Sequence, residues 1–291
     1  MPVNLLSDDM IKSLLRKYGV KPSKKRGQSF LKNPTVAKDM VNAANITRTD
    51  TVLEIGGGLG ILTEAIAREA DQVYVIEIAP ELVRALRALF REQDNIHIIE
   101  GDALTVALPQ VTKVVSNLPY SISSEITFRL LRELKFDQAV LMYQKEFAQR
   151  LYADPGTQDY SRLTINIRYQ AEVESLMEVP ATLFYPVPAV DSVVVRIKHQ
   201  TERPRARSDF VFHWMVNGLY SYPNKTLKKA LRIWFRNLGV NRELAEPTIN
   251  KCGGCLKGDE RLRTIDVDEL VILADAILGS VEDGTLPDPR R

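Results

Sequence analysis

The sequence predicts an α/β protein with a seven-stranded, mostly parallel sheet flanked by helices, followed by a smaller all-α domain. Short apolar runs alternate with helical patterns from residue 51 to residue 143, which is typical of a parallel sheet. A Gly-rich turn at 56–60 joins the first strand to a helix, as in Rossmann-like domains. After about residue 200 only helical patterns follow, so the predicted domains are residues 1–200 and 201–291.

The N-terminal residues are predicted to form a helix followed by a basic arm. Apolar residues recur at 10, 11, 14, 15 and 18, which is helical spacing, and Ser7 can cap the helix. Residues 21–26 are basic, and Gly27 lets the chain turn before Gln28-Ser29-Phe30-Leu31. We expect this arm to lie over a cofactor.

The first predicted strand, residues 51–55, runs into Gly56-x-Gly58-x-Gly60. Pyrophosphate cofactors use the spacing Gly-x-Gly-x-x-Gly instead, because it seats phosphate on a helix N-terminus. S-adenosylmethionine has no phosphate, and its site needs a backbone that passes close to a methionyl group. Glu54, just before the glycines, provides an acid for the ammonium of that group.

Two acids follow the glycine turn at the ends of the next two predicted strands. Glu77 ends the strand 72–78, about 20 residues past the glycines, which suits binding of both ribose hydroxyls. Asp102 ends the strand 95–102 and can accept a hydrogen bond from the adenine amino group of the cofactor. Alternatively, each acid is a plain cap or turn residue.

The stretch 114–120, Val-Val-Ser-Asn-Leu-Pro-Tyr, predicts a buried fourth strand that ends in a stiff turn. Pro119 cannot continue a central strand, and it restricts Leu118 to an extended conformation. Asn117 offers an acceptor and two donors that match an edge of adenine. Tyr120 offers a ring on which a base can stack. The alternative is an ordinary turn after a strand.

Three more strands complete the predicted sheet, at residues 139–143, 164–169 and 192–197, with the last two as an antiparallel pair. Before the last strand, Pro186 and Pro188 fix an extended loop. We expect Phe184 and Tyr185 to point outward from this loop, where an aromatic residue suits the second wall of a base pocket. The alternative is a hydrophobic turn packed on the core.

Two basic zones stand out on a chain whose net charge is only +2. Both are rich in Lys and Arg and poor in acids, which favours contacts with nucleic-acid phosphates over the alternative of a solvated charged face. The zones comprise residues 12, 16, 17, 21, 24, 25, 26 and 32, and residues 203, 205, 207, 225, 228, 229, 232 and 236. From 225 onward the second zone lies mostly along one face of a helix that Asn224 is predicted to cap.

Composition excludes several classes of protein. Hydrophobic residues make up 45% of the chain, and no apolar run approaches the roughly 20 residues of a membrane span. The N-terminus does not resemble a secretory signal. Two cysteines build no disulfide framework, and Cys252-Gly-Gly-Cys255 lacks the further ligands that zinc needs, so we expect two exposed thiols and no metal. These features predict a cytoplasmic protein.

Six stretches in the same order resemble the small-subunit ribosomal RNA adenine N6,N6-dimethyltransferase family. They are 27–31, 54–60, Glu77, 101–103, 117–120 and 184–192. The resemblance implies a domain that uses S-adenosylmethionine and a basic helical domain that binds ribosomal RNA. It also implies dimethylation of two adjacent adenosines near the 3′ end of small-subunit ribosomal RNA, within a pre-ribosomal small subunit, by a monomeric enzyme without a membrane partner.

The resemblance also assigns roles to individual residues. The positions that contact the cofactor are Ser29, Leu31, Gly56, Glu77, Asp102 and Asn117. The catalytic positions are Asn117 and Leu118, with Tyr120 and Phe184 as base-stacking rings. The family commonly has Asn or His where this chain has Ser29, which weakens the expectation of a side-chain contact there.

Three alternative functions remain open from the sequence. The related enzymes that methylate large-subunit RNA share the motifs, but the basic C-terminal domain and the Phe-x-Pro-x-Pro-x-Val stretch favour the small subunit. A DNA adenine methyltransferase is the second alternative. The third is a nucleic-acid-binding assembly or transcription factor without catalysis, which the intact glycine turn and Asn117-Leu118-Pro119-Tyr120 disfavour.

Overall fold

The computed structural model describes residues 6–22 and 27–290, and it divides into two compact units. The first comprises the described residues of Met1–Ala148 and Ala171–His199, and the second those of Gln149–Gln170 and Gln200–Arg291. The chain passes for the last time from the first unit to the second between His199 and Gln200, near the expected boundary at residue 200. Residues 149–170, however, were assigned to the first domain, whereas the structure groups them with the second. Tyr160, Ile165 and Tyr169 explain this, because they belong to the core of the helical unit.

The first unit contains a seven-stranded sheet, whose strands are β2 Thr51–Ile55, β3 Gln72–Glu77, β4 Ile96–Glu100, β5 Lys113–Asn117, β6 Gln138–Gln144, β7 Ala171–Val179 and β9 Ser192–His199. Their order across the sheet is β4-β3-β2-β5-β6-β9-β7. The first five are parallel to one another, whereas β9 runs antiparallel to both β6 and β7. The chain order reverses between β2 and β5, and the crevice at such a switch point is where open sheets bind ligands.

Six helices and a short ribbon accompany this sheet. The helices are α1 Asp8–Lys17, α2 Pro34–Ala43, α3 Ile61–Ala67, α4 Pro80–Leu89, α5 Ser123–Glu133 and α6 Lys145–Tyr152, of which α6 continues into the second unit. The ribbon pairs β1, Phe30–Leu31, with β8, Phe184–Tyr185, in antiparallel register. As expected, Ser7 caps α1 by accepting a hydrogen bond from the Met10 amide at 3.2 Å.

The expected strand at 164–169 is wrong, because this stretch belongs to α7, Arg162–Arg168. Ser161 and Thr164 form a reciprocal capping box that starts the helix. The missing strand is β7, which follows directly and pairs with β9 at the edge of the sheet. Its exposed glutamates, such as Glu172 and Glu174, concealed it because they gave no continuous apolar run. The expected number of seven strands is nevertheless correct.

The second unit is helical and has its own core. Besides α7 it contains α8 Asp209–Leu219, α9 Leu227–Asn237, α10 Ala245–Asn250 and α11 Val267–Glu282. Thr226, not Asn224, stands at the N-cap of α9, and its side chain makes no capping hydrogen bond. Cys255 is exposed, but Cys252 is buried, so the expectation of two exposed thiols is only half right. None of the helices within the described residues is long and apolar enough to cross a membrane.

Gly57→Ala is expected to destabilise the first unit by about 1–3 kcal/mol, because it overpacks the core. A Cβ at position 57 would lie 2.5 Å from Val75 Cγ1 and 3.0 Å from Leu86 Cδ1. Gly279→Ala is the matched control, since a Cβ there meets nothing within 4 Å and alanine favours the helix by about 0.5–1 kcal/mol. Thermal unfolding of the full chain measures both, and a Gly57→Ala protein as stable as wild type would contradict the packing.

Candidate active site

A cavity of about 520 Å³ opens at the carboxyl ends of β2, β3 and β5. Its lining combines the glycine turn, both strand-end acids, the Asn-Leu-Pro-Tyr turn and the first ribbon strand. Of the sequence-predicted site residues, the lining includes Ser29, Leu31, Glu54, Gly56, Glu77, Asp102, Asn117, Leu118 and Tyr120. The structure therefore brings together nine of these positions, from segments far apart in the chain, and leaves out Phe184.

The glycine turn packs directly against the Asn-Leu-Pro-Tyr turn. Gly56 has φ +78°, and a Cβ there would lie 3.3 Å from Pro119 Cγ. Gly58 has φ +56°, and a Cβ there would lie 3.3 Å from Phe30 Cδ1. Both positions need glycine because L residues rarely adopt these φ values and because neighbouring side chains approach the backbone closely. The turn thus presents bare backbone to the cavity.

Glu77 is held at the end of β3 by backbone donors. Its Oε1 accepts from the Ala79 amide at 2.9 Å and its Oε2 from the Gly58 amide at 3.2 Å. Only 4% of the residue is exposed. Because it bonds to the turn that contains Gly58, Glu77 also fixes the glycine turn relative to β3.

Asp102 lies just past β4, on a tight turn that begins at Gly101. Its Oδ1 accepts from the Leu104 amide at 2.9 Å, and its carbonyl accepts from the amides of Thr105 and Val106, both at 2.9 Å. The residue is half-buried and lines the cavity. The two acids thus lie at the ends of neighbouring strands, as the sequence predicts.

Asn117 and Leu118 form the end of β5 and the start of the turn. The Asn117 carboxamide makes no hydrogen bond with any residue in 6–22 or 27–290, and the residue is half-buried in the cavity wall. Leu118 is only 1% exposed, so its side chain is buried beside the cavity. An unpaired carboxamide at the edge of a cavity is available to a polar ligand.

Tyr120 is oriented by Ser192, the first residue of β9. The two hydroxyls lie 2.9 Å apart, Ser192 is fully buried, and the Tyr120 ring is half-buried at the cavity. Burial raises the pKa of Tyr120, and the hydrogen bond to Ser192 partly offsets this. Ser192 was not predicted as a site residue, although it ends the proline-rich stretch 184–192 that supported the resemblance.

The expectation that Phe184 points outward is wrong. Its side chain is 0% exposed, and it packs in the core of the sheet unit with Leu31, Val36 and Met40. The cause is the ribbon, because Phe184 pairs with Leu31 and directs its side chain to the core side. Successive strand residues face opposite ways, so the next residue, Tyr185, is half-buried instead.

Of the two N-terminal site residues, Leu31 lies in the first ribbon strand and Ser29 stands just before it. Leu31 is 6% exposed and lines the cavity. The Ser29 hydroxyl donates to the Pro186 carbonyl at 2.5 Å, so in this structure it joins the arm to the proline loop. The basic residues Lys24, Lys25 and Arg26, which were expected to lie over a cofactor, fall outside the described residues.

Glu54 is a buried carboxyl at the edge of the glycine turn. It is 1% exposed, and its Oε2 accepts from the Thr63 hydroxyl at 2.6 Å. Burial raises its pKa to about 8; the Thr63 hydrogen bond lowers it, and the charge of Glu77 raises it further. Among the described residues, no group of three or more His, Cys, Asp or Glu is placed to hold a metal ion.

A family model described as "Ribosomal RNA adenine dimethylase" matches residues 20–251 of the chain. The chain is 41% identical over 271 residues to a probable ribosomal RNA small subunit methyltransferase A from Methanosarcina acetivorans, which covers 92% of this chain and 98% of the relative. A protein with the same name from Methanococcus maripaludis is 35% identical, over 90% of this chain and 100% of its own length.

Two solved structures resemble the whole fold. The crystal structure of a dimethyladenosine transferase from Plasmodium falciparum has a TM-score of 0.75 at 29% identity, covering 88% of this chain and 99% of that one. The 23S rRNA methyltransferase ErmE has a TM-score of 0.64 at 27% identity, covering 85% and 98%. The Rossmann-like methyltransferase fold is thereby confirmed.

Glu54→Gln is expected to stabilise the protein more at pH 8 than at pH 5. The pKa of Glu54 is about 8 when folded, against an ordinary value of 4.5, so folding retains a proton that the unfolded chain releases between these values. The contribution of Glu54 to stability is fully present below 4.5 and is lost as the pH rises through 8. Glutamine does not titrate and can still accept from Thr63.

Thermal denaturation midpoints at the two pH values measure this effect. Glu69→Gln is the matched control, because Glu69 is an exposed acid of the same unit. A gain for Glu54→Gln that does not change with pH would contradict the assignment of a buried, protonated carboxyl.

Proposed function

Because the chain belongs to the ribosomal RNA adenine dimethylase family, we propose that it transfers methyl groups from S-adenosylmethionine to N6 of two adjacent adenosines near the 3′ end of small-subunit ribosomal RNA. The observation that carries this proposal is the Asn117 carboxamide, which has no hydrogen-bond partner among the described residues and lines one cavity with a glycine turn and two strand-end acids. The chain is an enzyme of the methyltransferase class.

The cavity residues fit the cofactor. The volume of the cavity lies in the range of small-molecule sites. Gly56 and Gly58 offer backbone without side chains, as a methionyl group requires. Glu77 would accept from the ribose hydroxyls and Asp102 from the adenine amino group, with Leu31 as an apolar wall. Ser29 contributes less directly, because its hydroxyl is already bonded to Pro186.

The bound cofactor supplies a methyl group already activated on a sulfonium. The chain must therefore orient the target amine, whose lone pair is delocalised into the adenine ring. Hydrogen bonds from N6–H to the Asn117 side-chain oxygen and the Leu118 carbonyl would favour a tetrahedral nitrogen aligned for transfer. The proton of the amine can leave to water after transfer.

We assign stacking on the flipped base to Tyr120, whose ring is half-buried at the cavity. Taking a base out of its stack costs a few kcal/mol, and stacking returns about 1–3 kcal/mol per contact. Ser192 limits rotation of the ring through its hydrogen bond to the Tyr120 hydroxyl. In this conformation Phe184 has no part in stacking, because it belongs to the core.

The second unit provides a basic surface for RNA. On α9 and just before it, Lys225, Lys229 and Arg236 are exposed. Lys228 is paired with Glu246 at 2.7 Å, and Arg232 is paired with Glu243. The face predicted from the sequence is therefore partly neutralised, and its exposed members are the better candidates for phosphate contacts.

The large-subunit alternative has weaker support. Curated relatives of this chain at 35–42% identity are named as small-subunit enzymes, whereas the large-subunit enzyme ErmE is 27% identical. The substrate within a pre-ribosomal small subunit, the monomeric state and the cytoplasmic location are parts of the same proposal. Membership of the family is what supports them.

The proposal is tested by incubating the protein with labelled S-adenosylmethionine and unmethylated small subunits, then mapping the labelled base. Large subunits and an adenine-containing DNA duplex are the parallel substrates. Label on two adjacent adenosines of the small subunit is the expected result. Preferential labelling of either other substrate would replace the proposal with that alternative.

Asn117→Ala is expected to slow single-turnover methyl transfer about a hundred- to a thousandfold, the cost of one hydrogen bond made mainly in the transition state. RNA affinity should stay within a few-fold, because it rests on phosphate contacts elsewhere. Asn42→Ala, which changes an exposed residue of α2, is the control and should react at the wild-type rate. If Asn117→Ala also reacts at the wild-type rate, Asn117 is only a turn residue.

The triple substitution of Lys225, Lys229 and Arg236 by glutamine is expected to weaken RNA binding. The log–log salt dependence should flatten by up to about 0.7–0.9 per lost phosphate contact. The control replaces Lys228 and Arg232, whose charges are already paired, and should have a smaller effect. Equal effects of the two sets would argue against the exposed residues as the contact surface.

A further inference from the structure

Arg129 is a buried cation outside the predicted site. It lies in the middle of α5 and is 9% exposed. A buried guanidinium is costly unless its donors are satisfied. Its partners therefore indicate what the side chain does.

Two of its three nitrogens donate to the turn that contains Asp102. Nη1 lies 2.5 Å from the Ala103 carbonyl, and Nη2 lies 2.7 Å from the Val106 carbonyl. The third nitrogen, Nε, donates to Glu133 within the same helix at 2.9 Å. The planar fork of Arg suits two acceptors in fixed positions, whereas Lys offers a single point charge.

Outside its own backbone, the turn from Gly101 to Val106 is held to β3, because the Gly101 amide donates to the Glu77 carbonyl at 3.0 Å. Its internal hydrogen bonds run to the carbonyl and side chain of Asp102. Packing at Gly101 adds to this, since a Cβ there would lie 2.3 Å from Val106 Cγ1. The guanidinium of Arg129 adds a second link, to the carbonyls of Ala103 and Val106 in the later part of the turn.

Arg129 links two segments that border the cavity, helix α5 and the turn that contains Asp102. Helix α5 begins at Ser123, three residues after Tyr120, so it continues directly from the Asn-Leu-Pro-Tyr turn. The Asp102 turn contributes residues 101–103 to the lining of the same cavity. Arg129 therefore fixes the strand-end acid relative to the helix that carries the catalytic turn.

We propose that Arg129 is a positioning residue for cofactor binding: by donating to the carbonyls of Ala103 and Val106, it holds Asp102 in the orientation that contacts the cofactor. This inference rests on the proposed cofactor role of Asp102. Arg129 itself is not among the residues that line the cavity. Its effect should therefore disappear when Asp102 can no longer bind.

Calorimetric titration of the full-length protein with S-adenosylhomocysteine, the product form of the cofactor, tests this. Arg129→Met should weaken binding about tenfold, and Asp102→Ala at least as much, as expected for loss of one or two hydrogen bonds. The double variant should bind no more than about twofold worse than Asp102→Ala alone, because residues acting through one contact are not additive. RNA affinity should be unchanged in each.

Two further variants make the experiment specific. Glu133→Gln removes the ion-pair partner of Arg129 but leaves both carbonyl contacts, so it should bind within twofold of wild type. Arg129→Lys keeps the buried charge and loses the fork, so it should bind more weakly than wild type even if Arg129→Met fails to fold. Circular dichroism of each variant confirms that the fold is retained.

The outcomes separate the two levels of the proposal. If Asp102→Ala weakens binding while Arg129→Met and Arg129→Lys bind as wild type, the inference about Arg129 is wrong and the site assignment stands. If the losses of Arg129→Met and Asp102→Ala simply add, Arg129 acts on general stability and the inference is overturned. If Asp102→Ala binds as wild type, the cofactor role of Asp102 and the inference both fail.

Discussion

The close packing of the glycine turn against Pro119 is the contact on which the site depends. It occurs where the chain order of the sheet reverses between β2 and β5, so two loops from adjacent parallel strands leave on opposite sides. Gly56 allows Pro119 to approach because it has no Cβ. That approach brings the glycine turn and the Asn-Leu-Pro-Tyr turn into one cavity. Glu77 then fixes the glycine turn relative to β3, because its carboxylate accepts from the Gly58 amide.

The part of the site that could be predicted from the sequence is the part encoded by local chemistry. The strand, glycine turn and helix at 51–67, the acids at strand ends and the Pro119 turn each carry their structure in consecutive residues. Parallel strands then bring their carboxyl ends to one edge, so the clustering of Glu77, Asp102 and Asn117 follows from the order of the motifs. Six of the seven strands and the helical character after residue 200 are likewise encoded in consecutive residues.

The residues that were misjudged depend on long-range partners. Phe184 was expected to face outward, but its pairing with Leu31 directs it into the core. The strand β7 was missed because its edge position permits exposed glutamates, whereas residues 164–169 were taken for a strand although a capping box makes them helical. Ser192 and Arg129 were not identified because their roles arise from hydrogen bonds to residues distant in the chain. The partner of Ser192 is 72 positions away, and the two carbonyl partners of Arg129 are 26 and 23 positions away.

The ribbon of β1 and β8 has a consequence for how the enzyme is made. Ser29 and Pro186, which it joins, are 157 residues apart in the chain. At a synthesis rate of about 5–20 residues per second, roughly 8–30 s pass between the translation of β1 and the translation of its partner strand β8. Until then the apolar side chains of Phe30 and Leu31, both buried in the finished protein, lack their ribbon partner. During this interval the nascent chain exposes the apolar residues of β1 and lacks part of the cavity wall. Chaperone binding would be most useful in this period.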